Sequence, residues 1–393
     1  MSRSPASVPG AATAVLLLHT LLVQLVTFLL RPATTYRAIE FGTPGAWLGV
    51  LSACFAFAPL LLALPSGALT DRLGERRMAI AGALLIIAAA LVLAGPGGGL
   101  AGLVAGTVLL GLGHLCGVVA QQTLVANAPG RSGFDSAFGF YTFAASLGQA
   151  LGPAVILAFG GSATVPRTHD IFVAGCAAGV VLVLLSFAFG SGGVRTAGSV
   201  DAADGGLRSL VRLPGLPRAL LTSCVVLAAV DISLVYLPAL GVERGIAAST
   251  IGLLLAIRAV SSMTTRFFLG RLTRLVGRRR LLVGGTLLAA AGLGALAVPM
   301  PLGAVAVLLC LAGLGLGAAQ PITMSWLASS APPGLRGRAM SLRLVGNRAG
   351  QVVFPSIAGA VAASAGAGGV LGATAAGLAG VAVAARTLPI NDL

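Results

Sequence analysis

A stripe of polar side chains runs along an otherwise apolar stretch near the N-terminus: Thr20, Gln24, Thr27, Arg31 and Thr34/Thr35. Steps of three and four residues put them on one face of a helix. Pro32 can break that helix locally beside Arg31. The stripe reads as cavity lining, with the forked donors of Arg31 suited to a carboxylate or phosphate. The alternative is an Arg31 that lies near the outer interface and snorkels to it. Asp231 is the sole acid well inside an apolar run. Arg258, Ser261/Ser262 and Thr265 share a helix face, and Asn347, Arg348 and Gln351 cluster further on. Asp231 and Arg258 are expected to form a buried pair, either functional or static. Thr107, His114 and Gln121 follow at seven-residue steps. His114 titrates near neutral pH if solvated, although a lone His on a Gly-rich helix is more often a packing residue; His19 carries less weight still. Tyr141, Gln149, Tyr236 and Gln320 are further candidate lining, and Arg266 sits close enough to the end of its run to snorkel.

The background makes these groups stand out. Of 393 residues, 57% are hydrophobic and only 9% charged, with mean hydropathy +1.00. A soluble chain carries about 25% charged residues, so the composition is that of an integral membrane protein. An ionisable group at membrane depth is costly and normally faces the interior of a helix bundle. The expected cavity charges are Arg31, Arg258 and Arg348 against Asp231, an excess of positive charge. Aromatic residues make up 5%, too few to supply a cation–π cage for a lipophilic cation. An anionic or zwitterionic solute suits this balance.

Composition also excludes functions. All 25 basic residues are Arg. Without Lys there is no phosphate-binding loop of the ATP-driven type and no Schiff base to retinal or pyridoxal phosphate. The sequence holds no His-Glu-x-x-His, no Gly-x-Ser-x-Gly elbow and no acidic metal cluster, so an intramembrane enzyme is not expected, nor is a cofactor or a metal. Cys54, Cys116, Cys176, Cys224 and Cys310 lie in apolar runs as packing residues. No cleavable signal peptide is read at the N-terminus.

Apolar stretches of roughly 20 residues, enough to cross a ~30 Å core, recur near 12–36, 46–64, 78–95, 100–125, 138–159, 171–189, 219–239, 249–268, 281–298, 303–328, 338–362 and 367–385. The polar stretch 190–218 divides them into a six-helix bundle at 1–189 and another at 219–393. Eighteen of the 25 arginines fall in the N-terminus and alternate loops, among them Arg72, Arg76, Arg77 and Arg278–Arg280; Arg37, Arg167 and Arg244 lie in the opposite loops. By the positive-inside rule both termini and the central loop are cytoplasmic. The net charge of +15 is therefore topological, and no aromatic-basic surface supports nucleic-acid binding.

The halves repeat. Residues 48–82 align without a gap on 251–285, sharing Gly49/Gly252, Gly67/Gly270, Gly74/Gly277, Arg76/Arg279 and Arg77/Arg280. Gly148-Gln149-x-x-x-Pro153 likewise matches Gly350-Gln351-x-x-x-Pro355. Six spans separate the copies, so the repeat is parallel.

Gly67-Ala-Leu-Thr-Asp71-Arg72-Leu-Gly74-Glu-Arg76-Arg77 resembles the loop motif of the major facilitator superfamily between its second and third helices, with a weaker copy at 270–280. The resemblance covers essentially the whole chain. It implies an all-α fold of twelve transmembrane helices in two bundles around a central cavity, working by alternating access. It also implies a conformational latch of Gly67, Asp71, Arg72, Gly74, Arg76 and Arg77, with Asp71 facing the positive end of the eleventh helix near Ser341. Arg274 replaces the acid in the second copy. Gly139-x8-Gly148-x3-Gly152-Pro153 follows the start of an export motif, but Ile156 and Leu157 stand where two glycines belong; close helix packing explains it equally well.

The expected function is secondary active transport of a small organic anion or zwitterion, proton-coupled through Asp231 and leaning to efflux. The substrate is expected to meet Gln24, Thr27, Arg31, His114, Gln121, Arg258, Asn347, Arg348 and Gln351. The chain is expected to act as a monomer in a bacterial inner membrane, with the lipid bilayer, the solute and the proton as its partners. Proton-coupled uptake and a non-transporting sensor on the same fold are the alternatives. A cysteine replacing Gly205 in a chain freed of its native cysteines should react with an impermeant thiol reagent only after cells are permeabilised. Labelling from outside intact cells would invert the topology.

Overall fold

A computed structural model describes residues 10–95, 99–126, 134–189, 213–330 and 336–389. Among the described residues it contains twelve helices and no strand. The first six are α1 (Ala11–Glu40), α2 (Gly45–Leu73), α3 (Glu75–Ala94), α4 (Gly99–Ala126), α5 (Phe134–Gly160) and α6 (Thr168–Phe187). The others are α7 (Leu216–Glu243), α8 (Ala248–Phe267), α9 (Leu269–Val276), α10 (Arg278–Ala295), α11 (Leu302–Ser330) and α12 (Arg336–Ala385). Most of the polar stretch 190–218 lies outside the described residues, and α7 begins at Leu216.

Among the described residues ten segments are long and apolar enough to cross a membrane. Two details bring that number to twelve passes. α12 breaks at Gly366 (φ 62°, ψ −171°), so its 44-residue apolar length, Leu342–Ala385, crosses twice. The left-handed φ at this turn is one that glycine adopts without cost. α10 opens on Arg278, Arg279 and Arg280, and this charge keeps it out of the ten although the rest of it is apolar. α9, eight residues with no buried side chain, is a short helix the sequence reading did not anticipate. α1 continues through Pro32 without a break in the helix.

Packing follows the repeat. α1 contacts α4, α5 and α6, and α3 contacts α4 and α6; α7 contacts α11 and α12, and α10 contacts α11 and α12. The loops after α2 and before α10 repeat as backbone. Gly74 has φ 83° and ψ 155°, and Gly277 has φ 86° and ψ 147°. The carboxylate of Glu243, at the end of α7, accepts a hydrogen bond of 3.0 Å from the Ala367 N–H just past the Gly366 break. A carboxylate there satisfies an orphan donor and complements the helix dipole.

The two bundles meet through α2–α12, α5–α8, α1–α7 and α2–α7. Contact is tightest on the face away from the termini. A Cβ on Gly49 would collide with the Pro355 carbonyl oxygen and one on Gly359 with that of Ala46. The Ala248 N–H donates to the Ala163 oxygen at 2.8 Å, and the Ser249 hydroxyl to the Gly161 oxygen at 2.6 Å. Toward the termini α5 and α8 part around a cavity. The chain is thus closed on one face. Small residues permit backbones to approach this closely in a membrane.

Gly49→Val should therefore weaken the closed state by about 1–3 kcal/mol, the usual cost of overpacking. Cysteines placed at Ala46 and Ala362 should move apart in spin-label distance measurements. An unchanged distance distribution would show that the seal does not depend on this contact.

Candidate functional site

Midway through the bundles a chain of polar side chains crosses from one half to the other. Arg31 of α1 is 5% exposed and Asp231 of α7 is 2% exposed. The Arg31 Nη1 donates to Asp231 Oδ1 in a buried ion pair. The Arg31 Nη2 donates to the Ser52 hydroxyl at 3.3 Å, and the guanidinium lies over the Phe55 ring at 4.4 Å from its centroid. On the other side Gln351 Nε2 donates to Asp231 Oδ2 at 2.6 Å, while Arg348 Nη1 donates to Gln351 Oε1 at 3.1 Å. The order is Ser52–Arg31–Asp231–Gln351–Arg348, running from α2 and α1 to α7 and α12. The Arg31–Asp231 link joins the bundles.

Arg258 differs from the sequence expectation. It is 2% exposed and lies within electrostatic reach of Asp231, as does Arg348. Yet Asp231 is paired with Arg31, not Arg258. No hydrogen bond or ion pair reaches Arg258 among the described residues, and its buried Nε has no partner. Arg31, read from the stripe as a contact for an anionic solute, is engaged by Asp231 in this conformation.

In the first bundle Gln149 Nε2 donates to Gln24 Oε1 at 3.3 Å, and Gln24 Nε2 to His114 Nε2 at 3.3 Å. The His114 Nδ1 then carries the proton and is buried without a partner. The Phe55 ring lies against both groups, 5.5 Å from the His114 ring and 4.4 Å from the Arg31 guanidinium. This group borders the central chain. Gln121 instead donates to His19 Nδ1 at 2.8 Å, and His19 meets the Ser186 hydroxyl at 3.1 Å. That chain ties α4, α1 and α6 together inside one bundle. Thr27 donates to its own helix at the Val23 oxygen, 2.7 Å away. In the second bundle the Ser223 hydroxyl donates to Asn347 Oδ1 at 2.8 Å, while Gln320 Nε2 donates to the Ser223 carbonyl at 2.6 Å and Gln320 Oε1 accepts from Arg343. Asn347 thus meets Ser223 of α7 rather than Asp231.

The pattern of the sequence did not include Ser52 and Phe55, since a Ser and a Phe in a long apolar run carry no periodic signal. Of the latch, Arg72 and Arg77 are exposed, and Arg76 lies over the Phe187 ring at 5.3 Å from its centroid. The side chains of Asp71 and Ser341 lie outside the described residues. In α5 a Cβ on Gly148 or Gly152 would strike the backbone of α1, so both glycines serve helix packing.

The sequence matches the Major Facilitator Superfamily profile over residues 16–239 and 219–392. The chain belongs to the major facilitator superfamily. No curated protein matches it at a significant level. Several solved structures share the superfamily fold. One titled nucleoside transporter NupG has a TM-score of 0.76 at 16% identity, covering 96% of this chain and 99% of the other. A D-xylose-proton symporter gives 0.78 at 16%, with 96% and 97% covered. A peptide transporter POT in complex with sulfate gives 0.77 at 15%, with 98% and 95% covered. Identities this low show the common fold; the cargo has to be argued from the site.

The electrostatics of this superfamily member make an asymmetric forecast. Asp231→Asn leaves Arg31, Arg258 and Arg348 without an anion and should cost about 3–5 kcal/mol, as for a broken buried pair. Arg31→Met leaves Asp231 near two other arginines and should cost only about 1.5–3 kcal/mol. Thermal unfolding in detergent ranks the two. The reverse order would show that Arg31, not Asp231, holds the centre together.

Proposed function

We propose that this chain is a secondary active transporter that moves a small organic anion or zwitterion by alternating access, coupled to protons at Asp231. The observation that carries this reading is the buried, partnerless Arg258 beside the occupied Arg31–Asp231 pair. Arg258 lies within electrostatic reach of Asp231, but Asp231 is bonded to Arg31 and Gln351; a buried guanidinium with no direct partner is costly, and a solute carboxylate or phosphate would bond it. Arg348 offers a second donor set, and Gln24 with His114 offers neutral hydrogen bonds on the opposite wall.

The coupling follows from the same residues. Ionised Asp231 holds Arg31 across the bundle interface. A proton taken up on the carboxylate removes that attraction and frees Arg31 for an anionic solute. Loss of the proton restores the pair and expels the solute from Arg31. A charge-assisted bond of this kind, linking the two bundles, sets their relative position by the state of one carboxylate. The similarity of the fold to a D-xylose-proton symporter accords with this scheme.

The arginine asymmetry supports a topology with both termini cytoplasmic, and we read the membrane as a bacterial inner membrane. The seal then lies on the outer face, and the described conformation is open inward. The latch around Asp71 favours the opposite state, closed on the cytoplasmic side. Residues 1–189 and 219–393 act as the two moving halves. The fifth-helix glycines are accounted for by packing on α1, so they set no direction; proteoliposomes of known orientation separate the export we lean to from uptake.

Reconstituted protein should show saturable exchange of an organic anion that Arg258→Gln weakens roughly ten- to a hundredfold, the usual effect of losing one charge-assisted contact. Asp231→Asn should exchange solute without accumulating it under a pH gradient. A lipophilic cation as the transported species, or gradient-driven accumulation by the Asp231→Asn protein, would overturn the scheme.

A further inference from the structure

The cavity where α5 and α8 part lies apart from the central chain. Near the termini-facing ends of α5 and α8, Phe140, Thr142, Phe143, Ser146, Met263, Arg266 and Phe267 line a space of about 480 Å³. That volume falls in the range of small-molecule sites. Its walls are aromatic, and its one charged lining group is Arg266. The sequence reading has Arg266 snorkel out of the membrane. Instead the side chain turns inward, and its Nη1 donates to the Ser146 hydroxyl at 3.1 Å, a residue only 4% exposed. The Arg266 Nε is buried with no partner. Arg266 lies eight residues from Arg258 on α8, which at the helical rise is roughly 12 Å.

We infer that this cavity between α5 and α8 is a binding site for a compact amphipathic carboxylate, whose head group meets Arg266 and whose apolar body lies against Phe140, Phe143 and Phe267. The inference stands on the cavity alone and does not need the central site to transport anything. The chemistry is complementary at both ends. Arg266 retains donors after bonding Ser146, and a carboxylate accepts two of them side by side. Phe140 and Phe267, 54% and 70% exposed, edge the cavity with an apolar surface that a hydrocarbon or aromatic body would cover. The inward turn of Arg266 argues against a bilayer phospholipid as occupant, since a lipid head group draws an arginine outward to the interface.

The test uses the full chain in nanodiscs of neutral phosphatidylcholine with two photo-crosslinking probes. One is decanoate with a terminal diazirine; the other is phosphatidylglycerol with the same group on an acyl chain. Cross-linked peptides are mapped by mass spectrometry. Decanoate should mark the segments 140–146 and 263–267, in competition with unlabelled decanoate. Marking should fall about tenfold or more in Arg266→Gln and return in Arg266→Lys. The decanoate methyl ester should not mark these segments. Equal marking by the ester, marking spread over all lipid-facing helices, or a phosphatidylglycerol signal that displaces decanoate would each overturn the proposal. If Arg266→Gln does not fold, Met263→Trp fills the cavity without altering its charge. Marking that survives this change also overturns it.

Discussion

One ion pair between halves of a duplicated fold organises the centre of this protein. Arg31 and Asp231 come from different bundles and meet where water is scarce. A pair in such a place is stable only if the remaining donors and acceptors are also satisfied. Ser52, Phe55 and Gln351 do this, and each lies on a helix that also touches the opposite bundle. The packing of α2 on α12 and of α1 on α7 therefore serves electrostatics as much as shape. Movement of one bundle relative to the other has to lengthen this bond or change the charge on one of its members.

The duplication clarifies why the two halves are not equivalent. Gln149 and Gln351 occupy matching places in the repeat. Gln149 reaches a neutral Gln24, whereas Gln351 reaches the carboxylate of Asp231. The same inherited position has become a neutral hydrogen-bonding wall in one half and a holder of charge in the other. An arrangement of this sort can orient a polar, asymmetric solute, since its two ends meet different chemistry.

Most of the fold was legible in the sequence because membrane burial leaves strong one-dimensional traces. Long apolar runs gave the spans, the 203-residue shift gave the repeat, and Gly74 and Gly277 adopt the same backbone turn. The short helix α9 was hidden, since eight residues between a span and an Arg triplet carry no membrane signal. The residues of the centre were legible as a set. Their pairing was not. Helical periodicity places Arg31, Asp231 and Arg258 on inward faces, but which arginine reaches the acid depends on rotation and depth of α1, α7 and α8, and a sequence does not encode these locally. Gln121 and Asn347 illustrate the same limit: each has the right spacing for the cavity, and each is turned toward another partner within its own bundle.

The closure on the face away from the termini consists chiefly of peptide groups, with Gly49 against Pro355, Gly359 against Ala46 and Ala248 bonded to Ala163. A peptide group neither gains nor loses a proton in the range where proteins work. That barrier therefore carries no information about cargo or acidity; it only follows. Recognition and shutting are thus separate inheritances. Exchanging an arginine in the middle for another polar group leaves every peptide contact of this glycine-lined door as it was.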